Sequence, residues 1–148
     1  MTGLKLTIVS PEQELYSGKV DIVLAPGIDG QLGILPNHAS LITKLAEGEL
    51  CARIGAEEYY FAIHGGFMHV LPDEVIVLAD VAERAGEIDA ARAEKARQRA
   101  LGLLTKSPPE ERRLTEVALR RSQVRLKVAR RRRRRHTTLS YPGVDDGV

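Results

Sequence analysis

The feature that most constrains this chain is a change of hydrophobic period around residues 88–93, Ile88-Asp89-Ala90-Ala91-Arg92-Ala93. Before it, apolar residues alternate with polar ones, as in Leu4, Leu6 and Ile8 around Lys5 and Thr7, and again in Val20, Ile22 and Leu24. Alternation puts every second side chain on one face, so such segments are half-buried strands. After it, Ala, Leu and Arg recur at helical spacing. A chain written this way folds as a sheet structure with a helical appendage, not as an interleaved α/β fold.

Turn residues divide the first part. Ser10-Pro11 closes the first strand, and residues 12–18 read as a polar turn. Ala25-Pro26-Gly27 ends a strand, and Ile28-Asp29-Gly30 reads as a tight hairpin turn. Pro36-Asn37 breaks the next segment, Glu47-Gly48 reads as another turn, and Gly65-Gly66 interrupts a later strand. The spacing predicts eight to ten short strands in an all-β sandwich or barrel over residues 1–86. In the second part, Asp89 is placed to cap a helix. Ala93, Ala96, Ala100 and Leu103 or Leu104 fall on one face of that helix. Ser107 with Glu110 has capping-box spacing, and Pro108 suits a first helical position. Leu114, Val117, Ala118, Val124 and Val128 form a second stripe, interrupted by Arg121. The expectation is an antiparallel helical hairpin over residues 87–135 and a disordered tail over 136–148.

Charge divides at the same place. Residues 1–86 hold five Lys/Arg against twelve Asp/Glu, a balance of −7, and residues 87–148 hold seventeen against eight, a balance of +9. The two halves therefore meet different partners, or meet each other. Cys51, the only cysteine, cannot form an internal disulfide or supply a Cys-based zinc site, which fits a reducing compartment. The apolar runs are far shorter than the ~20 residues a membrane helix needs, and no secretory signal is expected.

No catalytic constellation is legible. His38, His64 and His69 lack metalloenzyme spacing, so no metal is expected. Ser10, Ser17 and Ser40 lack the Gly-x-Ser-x-Gly elbow, and neither phosphate-loop pattern is present. The paired carboxylates Glu57-Glu58 and Asp73-Glu74 sit at expected turns. Six consecutive arginines at residues 130–135 could neutralise phosphates, which supports an alternative reading as a basic-tailed nucleic-acid or anionic-membrane binder. Arg92 and Arg99 lie seven residues apart, about two turns, on one side of the first helix. Arg120, Arg121 and Arg125 could face them if the hairpin closes. Arginines converging on an Ala-lined surface call for an anion between them, and a polyphosphate carrying an apolar base would fit.

With these residues in view, the chain resembles the epsilon subunits of F-type ATP synthases. The resemblance covers about residues 3–130. It rests on Pro26-Gly27-Ile28-Asp29-Gly30-Gln31-Leu32-Gly33-Ile34-Leu35-Pro36-Asn37-His38-Ala39-Ser40-Leu41, on Gly65-Gly66-Phe67 followed by Val75-Ile76-Val77-Leu78-Ala79-Asp80 and Ala82-Glu83, and on the Ile-Asp-x-x-Arg-Ala motif at 88–93. It implies an α+β fold: an N-terminal ten-stranded β-sandwich followed by a C-terminal antiparallel two-helix hairpin. It implies a non-catalytic rotor subunit of the proton-transporting enzyme, peripheral on the cytoplasmic face of the bacterial membrane. The sandwich is expected to bind the gamma subunit and the c-ring, with Asp29, Gly30 and Gln31 in the ring-facing loop. The hairpin is expected to fold onto the sandwich, or to extend toward the alpha and beta subunits and inhibit ATP hydrolysis. No cofactor is required. ATP is the regulatory ligand of some bacterial members, and by that resemblance Glu83, Ile88, Asp89, Arg92, Ala93, Arg99, Arg121 and Arg125 are its candidate contacts. The arginine run and the tail depart from the usual ending of the family.

Overall fold

A computed structural model describes residues 3–134, so the expected disordered tail at 136–148 lies outside the described residues. Eight strands precede two helices. They are β1 (Leu4–Val9), β2 (Glu14–Val20), β3 (Ile22–Gly27), β4 (Gly30–Ile34), β5 (Leu41–Ile54), β6 (Glu57–Val70), β7 (Glu74–Ala79) and β8 (Ala82–Arg84), followed by α1 (Ala90–Leu104) and α2 (Arg112–Arg134). The strands pair in the order β2-β1-β7-β6-β5-β3-β4, with β8 added to β6. All pairs are antiparallel except β1 with β7.

The corner at Gly65-Gly66 makes two layers from this single path. The β5–β6 register passes from Leu45–Gly66 to Glu47–His64. Across that step the inward positions change phase: Tyr59, Phe61 and Ile63 face the core on one side, Met68 and Val70 on the other. β5 shifts in the same way, from Leu45 to Leu50 and Ala52. The β5–β6 register is the same on both sides of the step, so no residue is inserted and the two strands turn over together. Gly66 has φ +122°, and a Cβ there would stand 2.2 Å from the Leu78 carbonyl oxygen, so glycine is required. β6 accordingly pairs with β8 before the corner and with β7 after it. Dividing β5 and β6 at this corner gives ten segments, matching the ten-stranded sandwich. The interior is aliphatic, with Leu4, Leu6 and Ile8 fully buried, and Tyr16 meets Phe61 edge-on at 5.9 Å.

Three local expectations are corrected. Residues 12–18 are not a turn but contain most of β2; Leu15 and Tyr16 are both buried, and two adjacent apolar residues show no alternation. Glu47-Gly48 is not a turn but the middle of β5; a Cβ on Gly48 would meet the Pro26 Cβ at 2.6 Å, so the glycine serves close approach. Ser107 does not cap α2. Its hydroxyl donates to the Leu103 carbonyl and closes α1, and α2 begins at Arg112. Pro109 disfavours helical geometry at Pro108, which delays the start. Asp89 does cap α1, accepting from the Arg92 backbone N–H at 3.1 Å.

The hairpin lies on the sandwich. Ala93 and Ala100 are buried along α1, as small residues at a close helix–helix contact are. Val128 and Ala129 of α2 pack on Cys51, Tyr60 and Ala62, with Ala85 and Ile88 at the edge. Apart from Tyr60 and Ile88, this second core is made of small side chains, and it is separate from the sandwich interior. Leu114, expected in the buried stripe, is instead 80% exposed near the hairpin tip.

Candidate functional site

The outer face of β5 and β6 before the corner carries Glu47, Glu49 and Cys51 alternating on one strand, and Tyr60, Ala62 and His64 on the other. Glu83 of β8 is in register with Ala62. The sheet therefore presents three carboxylates toward α2, which answers each with an arginine. Arg121 Nε donates to Glu47 at 3.2 Å, and Arg125 Nε to Glu83 at 2.8 Å. Arg131 donates twice to Glu49, at 3.1 Å each, with its guanidinium 4.9 Å from the Tyr60 ring centroid. The spacing of four keeps Arg121 and Arg125 side by side on α2, while six further residues turn Arg131 by about 120°, so it reaches Glu49 from the other edge of the contact made by Val128. The acidic and basic halves thus meet each other, and the arginine that interrupts the apolar stripe of α2 is one of the contacts.

The surroundings shift several groups. Burial alone would raise the Glu83 carboxyl, but its neighbours His64 and Arg125 outweigh it and hold it below the usual carboxylate range. Burial, then the Glu58 charge, pushes the Cys51 thiol up to about 11. Tyr60 is raised by burial and by its hydrogen bond to Glu58. The bond to Glu49 raises Arg131 further.

A second feature lies at the hinge. An open cleft of about 640 Å³ is lined by Glu87, Asp89, Arg92, Lys95, Arg99 and Arg125, among others. Glu87 is paired with Arg84, and Asp89 caps α1. Arg92, Lys95 and Arg99 make no ion pair among the described residues. The cleft therefore carries uncompensated positive charge and can take an anion. Of the eight candidate contacts, Asp89, Arg92, Arg99 and Arg125 line it together. Glu83 adjoins through Arg125. Arg121 turns to Glu47, while Ile88 and Ala93 are buried in packing contacts and do not line the cleft. Asp29 is exposed in the turn joining β3 to β4, and Gly30 and Gln31 are exposed at the start of β4.

After the corner the outer face is different. Ile42, Phe67 and Leu78 are 68%, 52% and 53% exposed, and Phe67 is in register with Leu78. Half-buried Ile76 and His69 continue the patch beside Ile42. Sequence reasoning missed both outer faces, although Glu47-x-Glu49-x-Cys51 is an alternating signal for the acidic one.

Residues 3–85 match the family described as ATP synthase, Delta/Epsilon chain, beta-sandwich domain, and residues 87–130 match its long alpha-helix domain. The chain is 52% identical over 136 residues to an ATP synthase epsilon chain of Dehalococcoides mccartyi, covering 90% of this chain and 97% of the relative. It is 48% identical to that of Syntrophobacter fumaroxidans, covering 85% and 95%. In fold it is similar to a chain in the Euglena gracilis mitochondrial ATP synthase structure of OSCP, F1 and c-ring, with TM-score 0.76 and 24% identity over 87% of this chain and 82% of that one. No described helix is long and apolar enough to cross a membrane.

Proposed function

Since the chain belongs to the family of F-type ATP synthase epsilon chains, we propose that it is a non-catalytic rotor subunit whose helical hairpin is a reversible regulatory arm. The observation that carries this reading is the nature of the helix–sheet contact. Small side chains and three arginine–carboxylate pairs hold α2 on the sandwich. Partly exposed ion pairs contribute little net stability each, so such a contact can open without unfolding the sandwich.

In this reading the sandwich joins the head of the proton-transporting enzyme to its ring at the cytoplasmic face of the bacterial membrane. The exposed Asp29-Gly30-Gln31 segment meets the c-ring. The apolar patch of Ile42, Phe67 and Leu78 is covered by gamma, because a contiguous apolar face suits a lasting protein contact. Released, the basic α2 meets acidic segments of alpha and beta and inhibits ATP hydrolysis. Docked, the cleft at the hinge binds ATP, with Arg92, Lys95 and Arg99 as the cations left to meet its phosphates.

Thermal unfolding of the isolated chain tests the nucleotide part. ATP at millimolar concentration raises the melting temperature, and Arg92→Ala removes that rise. A melting temperature indifferent to ATP in the wild-type chain would count against the site.

A further inference from the structure

His64 has an environment unlike that of the other histidines in the described residues. Its side chain is 2% exposed. Nδ1 lies 3.8 Å from Glu47 Oε2, and Nε2 lies 3.6 Å from Glu83 Oε2. Neither Nδ1 nor that Glu47 oxygen has a hydrogen-bond partner among the described residues. The same two carboxylates are the ones α2 grips through Arg121 and Arg125. The charged groups around the ring are therefore Glu47 from β5, Glu83 from β8, and Arg121 and Arg125 from α2. Glu49, further along β5, is taken by Arg131, and Asp80 stands over Gly65.

With the ring neutral and the hairpin docked, two carboxylates and two guanidiniums cancel. A proton on the buried His64 ring then adds a charge that Glu47 and Glu83, already paired with Arg121 and Arg125, no longer balance. With the hairpin away, two unpaired carboxylates flank the ring, and a proton on it replaces the lost cations. The proton and α2 compete for the same pair of anions. We infer that His64 is a proton-responsive latch, and that protonation of its ring favours release of the hairpin from the sandwich. The sign follows from linkage: the released form holds more protons, so its population rises as pH falls and drops as pH rises. This rests on the reading that the hairpin can leave the sandwich.

Cys51 supplies the readout, because it is 5% exposed beneath Val128 and Ala129 and is bared by release. A maleimide is reacted with the full native chain without nucleotide, between about pH 8 and pH 6, where histidine changes charge. Each rate is divided by that of the denatured chain at the same pH, which removes the ionisation of the thiol itself. The ratio in the wild-type chain is expected to rise several-fold on acidification, up to about tenfold for each unit by which proton affinity differs between the two forms. In His64→Gln the ratio stays flat, and in Glu47→Gln, which removes one of the contested carboxylates, the slope is shallower. A flat wild-type ratio, or an unchanged slope in His64→Gln, overturns the latch. A control separates the two readings. If Arg125→Glu with Arg131→Glu labels no faster than wild type at any pH, the hairpin does not leave, and the mobile-arm reading falls together with the latch. If that variant labels faster while wild type is flat, only the latch falls.

Discussion

The two outer faces of the sandwich are built on the same pair of long strands and differ in almost everything else. Before the corner, β5 and β6 turn Glu47, Glu49, Cys51, Tyr60, Ala62 and His64 outward, and the chain's own α2 covers them. After it, they turn out Ile42 and Phe67, joined by Leu78 of β7, and nothing among the described residues covers these. Apolar area gains free energy wherever it is buried, at roughly 25 cal/mol per Å², and keeps that gain at any ionic strength. Ion pairs at a partly wet edge gain far less and weaken with salt and acid. One face is suited to a partner that stays, the other to a partner that comes and goes.

The corner itself is the first place to break this contrast. Gly66→Ala puts a Cβ against the Leu78 carbonyl in a backbone region that L-residues rarely adopt. It should destabilise the whole chain by about 3 kcal/mol or more, read as a lowered denaturant midpoint, because the phase shift that separates the two faces is lost. Phe67→Asp is narrower. It should leave thermal stability within about 0.5 kcal/mol of wild type, since the side chain is half exposed. It should also cost about 2 kcal/mol or more in capture of gamma, as central aromatic contacts do. Acid gives the smallest effect. The Glu83 carboxyl is lower in the docked form than its ordinary value, so its contribution to docking is present above about pH 4.3 and fades as pH falls through the depressed value. Circular dichroism in that range should show helix fraying before the sandwich melts.

Much of the fold was legible. The change of period placed the sandwich and the hairpin in order, and Asp89 marked the start of α1 because a cap is a local device. β2 was not legible, because Leu15 and Tyr16 lie side by side and carry no alternation. The joining of strand pieces into β5 and β6 was hidden because glycine has two uses. At Gly65-Gly66 it turns a strand over, and at Gly48 it lets Pro26 approach. The −7 and +9 balances signalled that the halves could meet, but pairing Glu47 with Arg121 and Glu49 with Arg131 requires the register and the helix phase together. His64 read as an ordinary histidine because its four charged neighbours come from three other elements. The hinge cleft was partly foreseen: Arg92 and Arg99 follow from helical spacing, whereas the diversion of Arg121 to the sandwich does not.

The central claim is that charge pairing holds the hairpin on the acidic face, and one charge swap tests it most directly. The rate at which a thiol reagent modifies Cys51 is measured at constant pH in the wild-type chain, in Arg131→Glu, and in Arg131→Glu combined with Glu49→Arg. Docked, Cys51 is covered and its thiol is held protonated by burial and by Glu58, so it reacts slowly. The reversal should speed labelling by about tenfold, corresponding to roughly 1.4 kcal/mol of lost docking, and the swap should restore most of the protection. Equal protection of Cys51 in all three chains would contradict the account.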